Sequence, residues 1–172
     1  MALIDSTYPL FTSGDFNLYL QKKDYDFSKV LDDVCKNTEK DILIRLFGDV
    51  MYLDYENNPS NYSELINGYK VADKFASYEY LGKKRVYRGL KDMIAFFTYF
   101  FYAQNKFIFN PNIEASVSDT DRVNPAQNML DAYMNGYKAY YDTYYFIKYK
   151  QSLGEFDDFD FTDIELINNF GI

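Results

Sequence analysis

One aromatic and aliphatic stretch near the middle of the chain constrains the fold more than any other feature. From Arg88 to Lys106 the residue pattern predicts a helix whose large apolar side chains cover more than one face. These side chains are those of Met93, Ile94, Phe96, Phe97, Phe100 and Phe101. A helix that is apolar nearly all round must be covered on several sides, so we expect this helix to be the central element.

Two further main helices are predicted. From Asp26 to Asp54, apolar residues recur at steps of three and four, the pattern of an amphipathic helix, and Gly48 is placed to bend or split it. The apolar positions are Val30, Leu31, Val34, Ile42, Leu46, Phe47 and Val50. The third helix begins after Asn124, a suitable N-cap residue that is followed by Pro125 at the first helical position. The fold is therefore predicted to be mainly α, a small helical bundle of about three main helices.

The segments outside these helices indicate one domain with an extended arm at each end. Residues 1–25 are expected to form an N-terminal arm, with a short helix at residues 15–20 and no signal-peptide pattern. Residues 26–152 form the helical domain, in which residues 69–87 are predicted to be a hairpin or a long ordered loop. Residues 153–172 form an acidic, phenylalanine-rich C-terminal arm. A length of 172 residues fits this single-domain organisation.

The residue types on which most enzymes depend are missing from the sequence. With no histidine, the usual general base, the usual zinc ligand and every Ser-His or Cys-His pair are excluded. No glycine-rich phosphate loop is present, and the acidic pairs Asp32-Asp33 and Asp157-Asp158 are interpreted as solvated surface because their spacing does not resemble a calcium loop. We therefore expect a protein that is not an enzyme, with no catalytic residues, no cofactor and no metal site.

The charge of the chain argues against nucleic acid or a membrane as a tightly bound partner. The formal net charge is −8 and the isoelectric point is near 4.5, so the chain offers no overall electrostatic attraction to phosphates or anionic lipids. The longest apolar run, residues 94–103, is far below the roughly 20 residues that span a bilayer. One basic cluster interrupts this acidic chain and consists of Lys83, Lys84, Arg85 and Arg88. It is interpreted as a solvated loop tip, as a DNA contact, or as a contact with an acidic partner such as the C-terminal arm of another copy.

The C-terminal arm combines acids with large aromatic rings. It contains six acids and neither lysine nor arginine. A purely solvating tail has no need of phenylalanine, because exposed apolar surface is unfavourable. We expect the arm to be mobile in the free chain and to bind a partner through Phe156, Phe159, Phe161 and Phe170. The 19 tyrosines and 16 phenylalanines of the chain also favour assembly, because aromatic side chains supply large contact areas at interfaces.

Three stretches of the sequence resemble one known family. In the first, residues 86–99, an aromatic-Arg-Gly-Leu-Lys sequence leads into an aromatic helix that ends in tyrosine. The second is the Leu-Phe-Gly sequence of residues 46–48, followed by Met51 and Tyr52, and the third is the tyrosine-rich helix of residues 124–146. Together they resemble the head-to-tail connector proteins in the neck of crAss-like and related phages of Bacteroidetes hosts.

The resemblance implies a structural role in a virus particle. Such adaptor or head-completion proteins are helical subunits that form a ring, twelvefold in the family, at the portal and continue the DNA channel toward the tail. The implied partners are other copies of the chain, the portal protein and a downstream tail or neck protein, while DNA passes without specific binding. The implied location is the virion neck, after synthesis in the host cytoplasm. The alternative is a small acidic phage-encoded binding module that mimics DNA and inhibits a host protein.

Overall fold

The fold is mainly helical, and its three longest helices pack together. The computed structural model describes residues 2–18, 26–109 and 125–164, without the side chains of residues 105–109 and 125–126. Within these ranges the α-helices, in chain order, are α1 (Pro9–Thr12), α2 (Phe27–Phe47), α3 (Asp49–Asn57), α4 (Ser63–Asn67), α5 (Leu90–Phe109) and α6 (Pro125–Gln151). The expectation of a mainly α chain with about three main helices is confirmed, because α2, α5 and α6 are far longer than the others.

Helix α5 is the central element, as its apolar pattern predicts. It contacts α6 and α2 most extensively, and it also contacts α1 and α4. The side chains of Met93, Ile94 and Phe97 are at most 1% exposed. The ring of Tyr133 on α6 meets Phe97 edge-on, with ring centroids 6.1 Å apart. Because several elements cover α5, its large side chains can be apolar on more than one face.

The predicted first helix is two helices that meet at Gly48. This glycine has φ +76° and ψ 165°, a conformation that is essentially restricted to glycine, and its amide donates to the carbonyl of Ile44 at 2.9 Å. The break changes the helical phase, so Val50 lies on the outer face of α3 and is 62% exposed. Val30 is also exposed, at 46%. The sequence pattern was therefore right about the break at Gly48 but wrong in treating these two valines as core positions.

Two short antiparallel hairpins occupy most of residues 69–87, where one hairpin or an ordered loop is predicted. The strands are β1 (Lys70–Val71), β2 (Lys74–Phe75), β3 (Ser77–Tyr80) and β4 (Lys83–Val86). β1 pairs with β2, and β3 pairs with β4. Each pair is joined by two residues with positive φ, Ala72-Asp73 and Leu81-Gly82. Two positive-φ residues in a two-residue loop are typical of a type I′ turn, which matches the twist of the paired strands.

The N-terminal segment folds onto the helical bundle. Phe11 in α1 and Leu18 are fully buried, and Asn128 of α6 donates to the carbonyl of Asp15 at 2.6 Å. The predicted helix at residues 15–20 is described only as far as Leu18, and there the chain forms a 3₁₀ turn at Gly14–Phe16, preceded by α1. The reason is that Pro9 is favoured at the start of a helix, whereas no helical apolar pattern is sustained after Asp15. Residues 19–25 and the predicted N-cap Asn124 lie outside the described residues.

Candidate interaction surfaces

The predicted basic cluster contains two kinds of side chain. Lys83 and Lys84 are exposed on β4, and neither forms an ion pair with another residue of the described part of the chain. Arg85 is half-buried, with its guanidinium carbon 3.8 Å from the ring centroid of Tyr145. Arg88 is exposed and lies 5.6 Å from the ring of Phe75. Arg85 therefore fixes the hairpin to α6, whereas Lys83 and Lys84 remain accessible to a partner.

The two hairpins are joined at their base and carry exposed apolar and basic side chains. The amide of Tyr69, before β1, donates to the carbonyl of Tyr87, after β4, at 3.1 Å, whereas the 2.9 Å bond from the amide of Ala76 to the carbonyl of Tyr69 extends the first hairpin by one pair. Four large apolar side chains on the hairpins are between 45% and 74% exposed: Val71, Phe75, Leu81 and Val86. Four lysines lie beside these residues: Lys70, Lys74, Lys83 and Lys84. We call these eight residues the hairpin surface.

The first part of the predicted C-terminal arm packs against its own chain. Residues 155–164, here called the C-terminal strap, cross α6 and the region of α3. The ring of Phe156 stacks on Tyr62 with centroids 5.4 Å apart, and the ring of Phe161 lies 4.3 Å from that of Tyr144. Phe159 also contacts Tyr144, at 6.0 Å. The arm is thus ordered in a single chain up to Ile164, contrary to the expected mobility, and Phe170 lies outside the described residues.

The strap is also held by its backbone. The amides of Asp160 and Thr162 donate to the carbonyls of Phe47 and Arg45, at 3.1 and 2.9 Å. These carbonyls belong to the last turn of α2 and have no partner within the helix, so the strap completes the C-terminus of α2. The hydroxyl of Tyr140 donates to the carbonyl of Thr162 at 2.7 Å. Complementary aromatic packing and these backbone bonds together explain why an acidic segment lies on the body of an acidic protein.

The strap and α3 share an acidic surface. Asp54 accepts a hydrogen bond from the hydroxyl of Tyr62 at 2.6 Å, and the charge of Asp158 acts on the same hydroxyl. Burial and these acids raise the pKa of Tyr62 above its ordinary value. Asp49, Asp54, Asp157, Asp158 and Asp160 are exposed in this region, together with Val50 and Leu53. We call these seven residues the acidic surface.

Two other acids, Glu155 at the start of the strap and Glu64, are neutralised within the chain. The ammonium group of Lys150 lies 2.6 Å from a carboxylate oxygen of Glu64 and 3.1 Å from one of Glu155. No such ion pair involves Asp157 or Asp158 within the described ranges. The acidic surface therefore keeps its negative charge, which an external basic group can meet.

The residues that carry the family resemblance form a packed junction. The ring of Tyr87 stacks on Phe146 with centroids 4.3 Å apart, and its hydroxyl donates to the carbonyl of Leu65 at 2.9 Å. Gly89 has φ +105°, and a Cβ at this position would lie 2.5 Å from the carbonyl oxygen of Ile66. Only glycine fits here, because the backbone of α4 passes too close for any side chain. This motif is thus explained by the packing of α4, α5 and α6.

Two buried groups on α2 have altered acidity. Glu39 is 8% exposed, and its carboxylate accepts hydrogen bonds from the amide of Leu3 and the hydroxyl of Tyr55. Burial raises the pKa of Glu39, and these hydrogen bonds offset only part of that effect. Burial likewise raises the pKa of the Cys35 thiol to about 12, so the thiol is protonated and unreactive near neutral pH.

A cleft of about 230 Å³ lies between α2 and α5, lined by Val34, Asn37, Thr38, Asp41 and Phe101. Among the described residues, no group of three or more histidine, cysteine or acidic side chains is arranged to hold a metal ion. In the same part of the chain, no helix has the length and apolar character needed to cross a bilayer.

The two surfaces include exposed apolar residues that the sequence pattern does not single out. Phe75, Leu81 and Leu53 are exposed because they lie in a short strand, a turn and a helix face that only the three-dimensional arrangement defines. Comparison with protein-family models found no matching family, and comparisons with curated proteins and with solved structures found no relative.

Proposed function

We propose that the chain is a structural subunit of a phage neck, which forms a ring at the portal, joins head to tail and continues the DNA channel. The resemblance carried by residues 86–99 supports this assignment. The structural observation that supports it is that the hairpins and α3 expose large apolar side chains next to charged ones. Leu81, Val50 and Leu53 are 74%, 62% and 57% exposed in a chain that otherwise buries a large aromatic core. Contacts between subunits would remove this surface from water.

The acidity of the chain is compatible with a channel for DNA. A wall with a net charge of −8 per subunit offers the phosphates no strong electrostatic attraction, so DNA can move past it. The proposed partners are other copies of the chain, the portal protein and a neck or tail protein below. In this function the strap holds each subunit in shape, while the hairpin surface and the acidic surface are available for assembly.

Coexpression with the portal protein tests the proposed function. Size-exclusion chromatography with light scattering should give a complex whose molar mass equals that of the portal ring plus one ring of this chain. Leu81→Asp should reduce that mass, because it puts a charge into the exposed apolar surface. Met134→Asp is a control, because Met134 is also half-exposed but lies on α6, outside both surfaces. A chain that never joins the portal complex contradicts the function.

The second candidate, an acidic inhibitor that mimics DNA, is favoured by one observation. Asp157, Asp158 and Asp160 project from an ordered strap, so their charges have a fixed arrangement such as a DNA-binding protein could recognise. This candidate requires a stable monomer that binds a host DNA-binding protein, and duplex DNA should compete with it for that protein. A portal-bound ring would exclude this role as the principal one.

A further inference from the structure

We infer that the hairpin surface of one copy binds the acidic surface of the next copy, so that subunits join head to tail. This inference rests on the proposed function and identifies the contact within the ring. The hairpin surface consists of Lys70, Val71, Lys74, Phe75, Leu81, Lys83, Lys84 and Val86. The acidic surface consists of Asp49, Val50, Leu53, Asp54, Asp157, Asp158 and Asp160.

Leu81 gives the strongest indication that the hairpin surface has a partner. It is 74% exposed, and its φ of +52° lies in the left-handed region, where a leucine side chain is strained. Glycine or asparagine would fit this turn position with less strain and would expose no large apolar group. The fold itself therefore gains nothing from a leucine here. At the tip of its hairpin, this protruding apolar side chain is available for a contact with another molecule.

The charges around Leu81 indicate an acidic partner. Residues 69–88 contain six of the 18 lysines and arginines of the chain but only two of its 26 acids. One of these two acids, Glu79, is paired in register with Lys84, and no ion pair involving either Lys83 or Lys84 occurs within the described ranges. Four exposed apolar residues among these lysines favour a protein over a nucleic acid, because phosphate contacts require charge and not apolar area.

The acidic surface has the complementary properties. Val50, Leu53 and Asp54 are spaced three and four residues apart, so they lie together on the outer face of α3. Asp158 and Asp160 of the strap lie beside this helix, since both Asp54 and Asp158 act on Tyr62 and the amide of Asp160 bonds to Phe47. Exposed aliphatic groups are thus flanked by carboxylates, in the same way as the hairpin residues are flanked by lysines.

Two different, complementary surfaces on one chain make a heterologous contact. Such contacts repeat from copy to copy and close into a ring when the rotation between copies divides a full turn. A second copy of the same chain is therefore the occupant that the two surfaces fit, and no third protein is needed to neutralise either of them.

Charge reversal with remixing provides the first test, with molar mass measured by light scattering in dilute salt. Lys83→Glu/Lys84→Glu and Asp157→Lys/Asp158→Lys should each lower the mass toward that of a monomer, because like charges then meet. Mixing the two variants should restore the wild-type mass, because each reversed surface finds an opposite one. The control Lys36→Glu/Lys40→Glu changes the charge equally at exposed positions on α2 and should keep the wild-type mass.

Leu81→Gly separates folding from assembly. Glycine relieves the backbone strain, so the variant should unfold at the same denaturant concentration as the wild type or at a higher one. Loss of the apolar contact should nevertheless raise the dissociation constant of the assembly by about tenfold or more. Equal assembly of this variant and the wild type would show that Leu81 does not lie in the contact.

The remaining outcomes distinguish this inference from the proposed function. A wild-type chain that is monomeric in solution, or charge variants that assemble normally, would overturn the inference, while binding to the portal would still support the neck function. If the chain assembled through these surfaces but did not bind the portal, the inference would be supported and the proposed neck function would be contradicted. A fluorescent DNA duplex is the second probe. If it binds the wild type and not Lys83→Glu/Lys84→Glu, while the assembly mass is unchanged, the hairpin surface is a nucleic-acid contact and the inference is wrong.

Discussion

At the scale of single residues, small side chains determine where the large rings can pack. Gly136 lies inside α6, where glycine costs about 1 kcal/mol relative to alanine. A Cβ there would lie 3.2 Å from three ring atoms of Phe97, closer than most contacts of this kind. Glycine lowers the helix propensity at this position, but it allows the ring of Phe97 to approach the backbone of α6. Sequence alone shows the isolated glycine but not the ring that it accommodates.

The pair Phe97 and Gly136 should be strongly coupled. Phe97→Ala should reduce the free energy of unfolding by about 3–5 kcal/mol, because it leaves a cavity in the packed core. Gly136→Ala should be less favourable in the wild type than in the Phe97→Ala background, where the new methyl group meets space instead of a ring. Urea unfolding of the four proteins in this cycle measures the coupling. Additive effects would show that the two residues do not press on each other.

Glu39 should make the stability of the chain fall as the pH rises. Its folded pKa lies above the ordinary value of 4.5, so the native state binds the proton more tightly than the unfolded chain does. As the pH rises from about 4.5 to the folded pKa, the carboxyl group ionises more readily in the unfolded chain than in the native state, so the free energy of unfolding falls. Glu39→Gln keeps an acceptor for the Leu3 amide but removes this titration. The stability of the wild type relative to Glu39→Gln, from urea unfolding, should be lower at about pH 7 than at about pH 4. If the difference in the free energy of unfolding between the two proteins did not change with pH, the raised pKa of Glu39 would be contradicted.

At the scale of elements, Gly48 links three parts of the fold. It ends α2, begins α3 and lies against the strap, since a Cβ on Gly48 would be 2.7 Å from the Cβ of Asp160. The strap in turn supplies the amides that satisfy the last carbonyls of α2. One glycine therefore permits a helix break and a tertiary contact at the same position.

Gly48→Ala should loosen the strap as well as strain the backbone. The strain is about 1–3 kcal/mol, and the clash with Asp160 adds to it. Hydrogen exchange at the amides of Asp160 and Thr162 should become faster. Gly14→Ala is the matched control, because Gly14 also has positive φ, +70°, but a Cβ there meets nothing within 4 Å. If both variants left exchange in the strap unchanged, Gly48 would have no part in holding it.

The elements that could be predicted from sequence are those set by local patterns. The all-round apolar character of residues 88–106, the break at Gly48 and the start of α6 at Pro125 each follow from the chemistry of neighbouring residues. The position of the strap does not, because its groove is built from Tyr62 and from tyrosines of α6 that are distant in sequence. The exposed side of α3 could not be predicted either, because it depends on how far the break at Gly48 rotates α3 relative to α2. Of the predicted site residues that the structure describes, Lys83 and Lys84 are exposed and make no ring contact within the described ranges. The others each lie against an aromatic ring: Arg85, Arg88, Phe156, Phe159 and Phe161.

At the scale of the whole molecule, the described residues bury a large aromatic core and present two exposed surfaces of opposite charge. The ordered strap leaves the acids of residues 157–160 facing outward, next to exposed aliphatic groups on α3. The hairpins present lysines around Leu81 and Phe75. Such a molecule is suited to repeated contact with copies of itself, which is the property that a neck ring requires.

The proposed function places this chain in the neck of a phage particle, and its most direct test is a cryo-electron microscopy reconstruction of that neck. The expected density is a closed ring of copies at the portal, each with α2, α5 and α6 packed as described. The tip residue Leu81 of each subunit should lie against Val50 and Leu53 of the next. A neck whose density is filled by other proteins, in particles from which mass spectrometry shows this chain to be absent, would contradict the central claim.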